Sequence, residues 1–152
     1  MNDALNQGIN RVIQMRKNRR ALVLFTDKSN AGEYSFSKVK ERLREHDVEF
    51  YVVAVYQTEP HRLDALRDLS QSSGGNFFLP NVIADLDRIF RTIVTGLRNQ
   101  YVIGYRPTNQ TQDGKWRKIK VTVADFRDKD NKLVKVTTRA KPGYYAPSPV
   151  KN

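Results

Sequence analysis

The sequence predicts an α/β fold: a partial doubly wound, Rossmann-like parallel sheet with helices on both faces, followed by an antiparallel β-extension. Three observations predict it. Apolar stripes at helical spacing alternate with short unbroken apolar runs through residues 1–98. The run "ALVLFT" does not alternate with polar residues, the pattern of a strand covered on both faces, and "VEFYVVAVY" is a second long β-branched and aromatic run. After Gln100 the helical spacing stops, and extended segments follow one another with no helix between them.

Each element has its own reason. Residues 3–18 carry Leu5, Ile9, Val12 and Ile13 on one helical stripe. Residues 21–26 form the first strand. Residues 35–46 repeat the helical pattern through Phe36, Val39 and Leu43, with Ser35 as the expected N-cap. Residues 48–56, rich in β-branched and aromatic side chains, form the second strand. A helix over 60–71 starts at Pro60 and turns Leu63, Leu66 and Leu69 inward; "SSGG" stops it, Gly74 or Gly75 supplying the left-handed residue. "NFFLP" is a short third strand. Residues 82–98 are the strongest helix, with Val82, Leu86, Ile89, Phe90, Ile93 and Leu97 at helical spacing. Strands separated by helices imply parallel pairing through right-handed crossovers.

Beyond this point "YVIGYRP", "KWRKIKVTVA" and "KLVKVTTR" read as strands of a half-buried meander, joined by the turn-rich "TNQTQDG" and "DFRDKDN". Ile119, Val121 and Val123 alternate with Lys118, Lys120 and Thr122, giving one apolar and one basic face. The Pro-rich end, "KPGYYAPSPVKN", is expected to be extended or frayed. The division expected is 1–98 for the α/β part, 99–146 for the β-extension and 147–152 for a tail.

Composition bounds the function. At 152 residues, with 39% hydrophobic and 28% charged side chains, the chain has the size and balance of a globular domain that needs no metal or disulfide to fold. It has no cysteine, which excludes thiolate chemistry. No apolar run approaches the ~20 residues of a membrane-spanning helix. The first residues lack the pattern of an export signal. Lys and Arg number 15 against 12 Asp and Glu in residues 1–98, and 12 against 4 in residues 99–152, so a surplus of +3 becomes one of +8 in the shorter segment. Such asymmetry marks either a lysine-rich solvated face or a surface for an anionic partner.

Enzyme chemistry finds no foothold. His46 ends one helix and His61 begins another, and no Gly-x-Ser-x-Gly accompanies them. "SQSSGGN" lacks the Gly-Lys-Ser/Thr of a phosphate loop and precedes a strand. Asp85 and Asp87 project to different sides of a helix, and Asp85 suits the helix dipole. The reading is of a non-enzymatic protein.

The stretches "RRALVLFTDKSN", "HDVEFYVVAVYQ", "LRDLSQSSGGNFFLP", "DLDRIFRTIVTGLRNQYVIGYRP", "DGKWRKIKV" and "GYYA", in that order, resemble the von Willebrand factor A domain. They are most similar to the bacterial proteins that append a β-rich extension to it. The likeness runs over about residues 4–146. It implies a doubly wound sheet, recognition or adhesion of a protein partner, and a metal-ion-dependent adhesion site at the C-terminal ends of the strands. In that site an Asp-x-Ser-x-Ser, a Thr and an Asp from three loops hold Mg²⁺ or Mn²⁺, and an acidic residue of the partner completes the shell.

Carried over by position, Asp27 matches the third-loop aspartate, Lys28 stands where glycine is usual, and Asp3 occupies the threonine slot. Ser29 becomes a ligand only if "DKSNA" is forced into Asp-x-Ser-x-Ser, which fails at Ala31. The first strand and its motif are expected to lie before Met1, so the site is expected to be degenerate. Asp27 alone is as well read as a turn-forming aspartate. The partner-binding loops implied are Asp27, Lys28, Ser29 and Asn30, with Gln57–Pro60 and Phe78–Asn81 beside them. The resemblance also implies an exported bacterial protein.

Two further expectations come from the residues. Without a preceding strand, "ALVLFT" is an apolar edge guarded only by Arg19 and Arg20, open to self-association. The alternative function is a basic nucleic-acid- or anion-binding module, with Arg106, Lys115, Trp116, Arg117, Lys118 and Lys120 as its residues and Tyr101 and Tyr105 as further rings.

Overall fold

The computed structural model describes residues 1–15, 19–27, 36–55, 63–101, 103–136, 138 and 140–148. The chain forms two compact units, Met1–Thr108 and Asn109–Asn152.

The first unit is α/β, with the order α1 (Asn2–Gln14), β1 (Arg20–Thr26), α2 (Ser37–Glu45), β2 (Val48–Ala54), α3 (Asp64–Ser72), β3 (Phe77–Phe78) and α4 (Asp85–Arg98). The three strands form one parallel sheet in the order β1-β2-β3. Strand β2 is central, and all its residues but Glu49 are buried. Its even-numbered side chains, with Leu22 and Leu24, meet Leu5 and Ile9 of α1, Val39 and Leu43 of α2, and Leu66 and Leu69 of α3. Its odd-numbered Tyr51 and Val53, with Ala21 and Val23, meet Ile89 and Ile93 of α4. Three helices therefore cover one face and one covers the other. Each fully buried aliphatic or aromatic side chain contributes about 1.5–3 kcal/mol, so β2 and its covers carry most of the unit's stability.

Close approaches set how these layers fit. Helix α1 lies against β1 at Gly8, where a β-carbon would come within 3.0 Å of Leu22 Cδ1. The "SSGG" stop works through two glycines with different duties. Gly74 adopts φ 90° and ends α3. Gly75 passes so close to β2 that a β-carbon there would fall 1.9 Å from the Phe50 carbonyl oxygen. The same segment continues the ladder above the short β3: the Phe50 amide donates to Ser73 Oγ at 2.9 Å, and the Val52 amide donates to the Asn76 carbonyl at 3.0 Å.

The ends of α4 are fixed by side chains. Arg19 donates to the Leu97 carbonyl at 2.8 Å and to the Arg98 and Gln100 carbonyls at 3.3 Å, which satisfies open acceptors and complements the negative end of the helix. At the other end the expected start at residue 82 is corrected: residues 81–84 form a turn and the helix begins at Asp85. The Asp85 carboxylate accepts from the Asn81 amide at 3.1 Å and the Val82 amide at 3.4 Å, so it closes the turn as well as opposing the dipole. Val82 is correspondingly 60% exposed. The expected N-cap Ser35 and helix start Pro60 lie outside the described residues; Phe36 stands at the described N-cap of α2 with no side-chain cap bond.

The second unit is antiparallel, with β4 (Trp116–Lys118), β5 (Phe126–Arg127), β6 (Leu133–Val134) and β7 (Gly143–Tyr145). Its connectivity differs from the expected meander. β4 pairs with β7, and β5 pairs with β6. "GYYA" is thus a paired strand, with Gly143 and Ala146 buried, rather than the start of a frayed tail. A β-carbon on Gly143 would lie 2.1 Å from the Arg117 carbonyl oxygen and 2.7 Å from the Trp116 ring, so only glycine lets these strands meet. Residues 101 and 103–107, expected as a strand, carry none. The exposure alternates as expected from Lys118 to Thr122 and then fails, Val123 being 51% exposed. An alternating segment forms a long strand only where a second layer covers its apolar side.

Gly75→Ala is expected to lower stability by about 3 kcal/mol or more, because the obstacle is backbone that cannot rotate away. Ser73→Ala should cost about 1–3 kcal/mol by orphaning the buried Phe50 amide; both are read as shifts in the urea midpoint at unchanged slope. The Asp85 carboxyl is held below its ordinary value, chiefly by the bond from Arg88 and then by the Val82 amide. Its contribution is present above the usual carboxylate range and lost as pH falls through the depressed value. Amide exchange at Asn81 and Val82, relative to intrinsic rates, should therefore quicken in strong acid, and in Asp85→Ala should already be fast at neutral pH.

Candidate functional site

The parallel register brings the C-terminal ends of β1, β2 and β3 to one end of the sheet. Thr26 pairs with Ala54, and Val53 with Phe78, so the exits at Asp27, Val55 and Leu79 are neighbours. Thr26 is buried, and its carbonyl accepts from the Val55 amide at 2.9 Å, which holds the first two exits together. Asp27 follows at once and is exposed. β1 is partly buried along most of its length and gives way to Asp27, where a carboxylate reaches water. The third exit, Leu79–Asn81, runs into the turn closed by Asp85. The N-terminal end of α4 lies on this side of the unit, because Arg19 pins its other end beside the start of β1.

Lys28, Ser29 and Asn30 lie outside the described residues, as does Gln57–Pro60. Asp3, in the threonine slot of the resemblance, is exposed in the first turn of α1. Among the described residues no group of three or more His, Asp or Glu side chains converges as a metal site would require. Among the described residues the Asp27 carboxylate is the exposed oxygen donor at the exit of β1, a donor type that suits a hard cation.

The alternative residues divide between the two units. Arg106 belongs to the first, and Lys115, Trp116, Arg117, Lys118 and Lys120 to the second. Within the second, Trp116 is half-buried, its ring edge-on to Tyr145 at 4.9 Å and 67° and its six-membered ring against Gly143. Arg117 is committed to Asp113 at 2.8 Å and also donates to the Thr111 carbonyl. This pairing, followed by the bond from the Lys115 amide, holds the Asp113 carboxyl below its ordinary value. Lys115, Lys118 and Lys120 are exposed. A further cation not singled out by spacing, Lys141, is lowered from its ordinary pKa by burial. In the first unit Tyr101 is 93% exposed and Tyr105 54%.

Sequence reasoning missed the role of Arg19, read as an edge guard and found to be the C-terminal clamp of α4. The available signal was a long cation just before a strand whose crossover helix must end nearby. It also missed that Asp85 closes the turn that begins at Asn81, just after Pro80.

Comparison with known proteins agrees with this geometry. The family profile of the von Willebrand factor type A domain matches residues 1–92, which takes in every element from α1 to β3 and the first half of α4. No curated protein matches the chain. Among solved structures, an uncharacterized membrane spanning protein from Vibrio fischeri is similar at 16% identity, with a TM-score of 0.43, over 60% of this chain and 53% of that one. The chain thus spans about half the length of that structure. Among the described residues no helix is long and apolar enough to cross a membrane. With more than half its length matched to the family profile and a parallel α/β sheet ending in Asp27, the chain belongs to the von Willebrand factor type A domain family.

Proposed function

We propose that this chain is a non-enzymatic recognition module that binds a protein partner through the loops at the C-terminal end of its parallel sheet. The observation that carries the reading is Asp27, exposed at the exit of β1 in a von Willebrand factor type A domain, with the exits of β2 and β3 beside it. A carboxylate there contributes one ligand to Mg²⁺ or Mn²⁺, with water, a loop oxygen such as Ser29, and an acidic side chain of the partner as the others. A site assembled so sparsely binds the cation weakly until the partner supplies its carboxylate, which makes recognition dependent on both. The adhesion site is in this sense degenerate: it is completed from outside.

Isothermal titration of the full chain with Mg²⁺ or Mn²⁺, alone and with a short aspartate-containing peptide, tests this. Binding heat that grows with the peptide and disappears in Asp27→Ala is expected. No heat in the parent protein with either cation, peptide present or not, rejects the cation-assisted reading.

A second reading is favoured by one observation: Lys115, Lys118 and Lys120 are exposed around the ordered Trp116. In that reading the β-extension binds nucleic acid or another polyanion. Because phosphate neutralisation releases counterions, affinity for a labelled single-stranded oligonucleotide should then fall linearly with log salt. Lys118→Glu with Lys120→Glu should flatten the slope by about two units of log affinity per log salt. Fluorescence anisotropy between 50 and 200 mM salt, roughly the span over which such contacts lose affinity, measures it; a flat response removes the reading.

A further inference from the structure

We infer that one face of the β4–β7 ribbon binds single-stranded nucleic acid, stacking an unpaired base on Tyr145 and laying the sugar-phosphate backbone along Lys118 and Lys120. The inference rests on the second reading above, polyanion binding by the β-extension, and narrows it to a face, a ring and a class of ligand.

The register decides which side chains act together. Trp116 stands opposite Tyr145, Arg117 opposite Tyr144 and Lys118 opposite Gly143. The Ile119 amide donates to the Pro142 carbonyl at 2.8 Å and the Ala146 amide to the Lys115 carbonyl at 2.9 Å, so pairing continues past both ends of the strands. Opposite residues of an antiparallel pair share a face, and successive residues alternate between faces. One face therefore holds Trp116, Tyr145, Lys118 and, at the next position of each chain, Lys120 and Lys141. No Asp or Glu occurs in residues 114–120 or 141–147, so nothing acidic interrupts it. The other face holds Arg117, whose guanidinium is already taken by Asp113 at 2.8 Å.

The two rings of this face have different duties. Gly143 has no side chain, and the six-membered ring of Trp116 occupies the space above it. Tyr145 meets that indole edge-on at 4.9 Å and 67°. Trp116 is thereby half-buried, while Tyr145 is 44% exposed and backed by the indole. A ring fixed before binding loses little freedom when a base stacks on it. Lys118 and Lys120 are both exposed and follow on the same side, about 7 Å apart, the two-residue repeat of a strand. A ring beside a row of cations matches an unpaired base and its phosphates. Duplex bases are stacked on one another and present no face to Tyr145, which selects the single strand.

Fluorescence anisotropy of a labelled oligothymidylate with the full chain, beside an abasic strand and a duplex of the same length, tests this. The oligothymidylate is expected to bind about five-fold or more tighter than the abasic strand, the gain one stacked base supplies. Trp116 is the only tryptophan in the chain, so its emission should change on saturation with oligothymidylate and stay constant with the abasic strand. Tyr145→Leu keeps an apolar contact with Trp116 and should lose the five-fold gain at unchanged salt slope, whereas Tyr145→Phe should retain it. Lys118→Ala should lower the salt slope by about one and leave the preference for the single strand. Equal affinity for the three ligands, constant Trp116 emission, or full affinity in Tyr145→Leu overturns the inference and leaves salt-dependent polyanion binding in place. Absence of salt-dependent binding to all three removes the inference together with the reading beneath it.

Discussion

The α/β unit depends on one constraint: β2 must be dry on both faces. Its Val48, Phe50, Val52 and Ala54 point one way, Tyr51 and Val53 the other, and each is fully buried. A strand of this composition cannot present a wet face, so it requires helices above and below and a neighbour on each edge. Both hydrophobic clusters, the three-against-one division of helices and the parallel direction of β1 and β3 follow from it. The one carboxylate in the strand, Glu49, sits near its start, where it accepts from the Tyr51 hydroxyl and the Gln100 side chain.

The flanking strands are asymmetric. β3 has only two residues, yet the ladder on that side is prolonged by Ser73, Gly75 and Asn76, which bring a helix end directly against β2. β1 has seven residues, and those before Thr26 are only partly buried or, like Phe25, exposed. Among the described residues the sheet closes tightly on the β3 side, while β1 is bonded through β2. The C-terminal ends of the strands bring Asp27 beside the exits of β2 and β3.

The β-extension is held differently. Its strands are two or three residues long, and Ala146 and Gly143 are the buried residues among those described. In place of a broad core it uses turn chemistry: Asp113 accepts from the Lys115 amide, and Asp128 from the Asp130 and Lys132 amides. Trp116, wedged between Tyr145 and Gly143, is its largest ordered contact. An aromatic ring held this firmly anchors a fold more readily than it stacks a base. The tryptophan that the sequence offers as a stacking ring also packs on Tyr145 and Gly143.

The sequence by itself determined the helices, the parallel strands and their buried faces, because periodicity is a local record of which side of an element meets water. Leu63, Leu66 and Leu69 were legible in this way, and so were a stop at Gly74 or Gly75, of which the structure uses Gly74, and Asp27 as the point where the first strand meets solvent. The family was legible from the order of these pieces. Tertiary structure alone decided which strands pair in the extension, since short strands with weak alternation accept several partners and the choice of β7 for β4 rests on the fit of Gly143 to Trp116. It also decided the work of Arg19, Ser73 and Asp85. A polar side chain records nothing in sequence about a carbonyl or amide that folding carries to it from 78 or 23 residues away, or from the next turn.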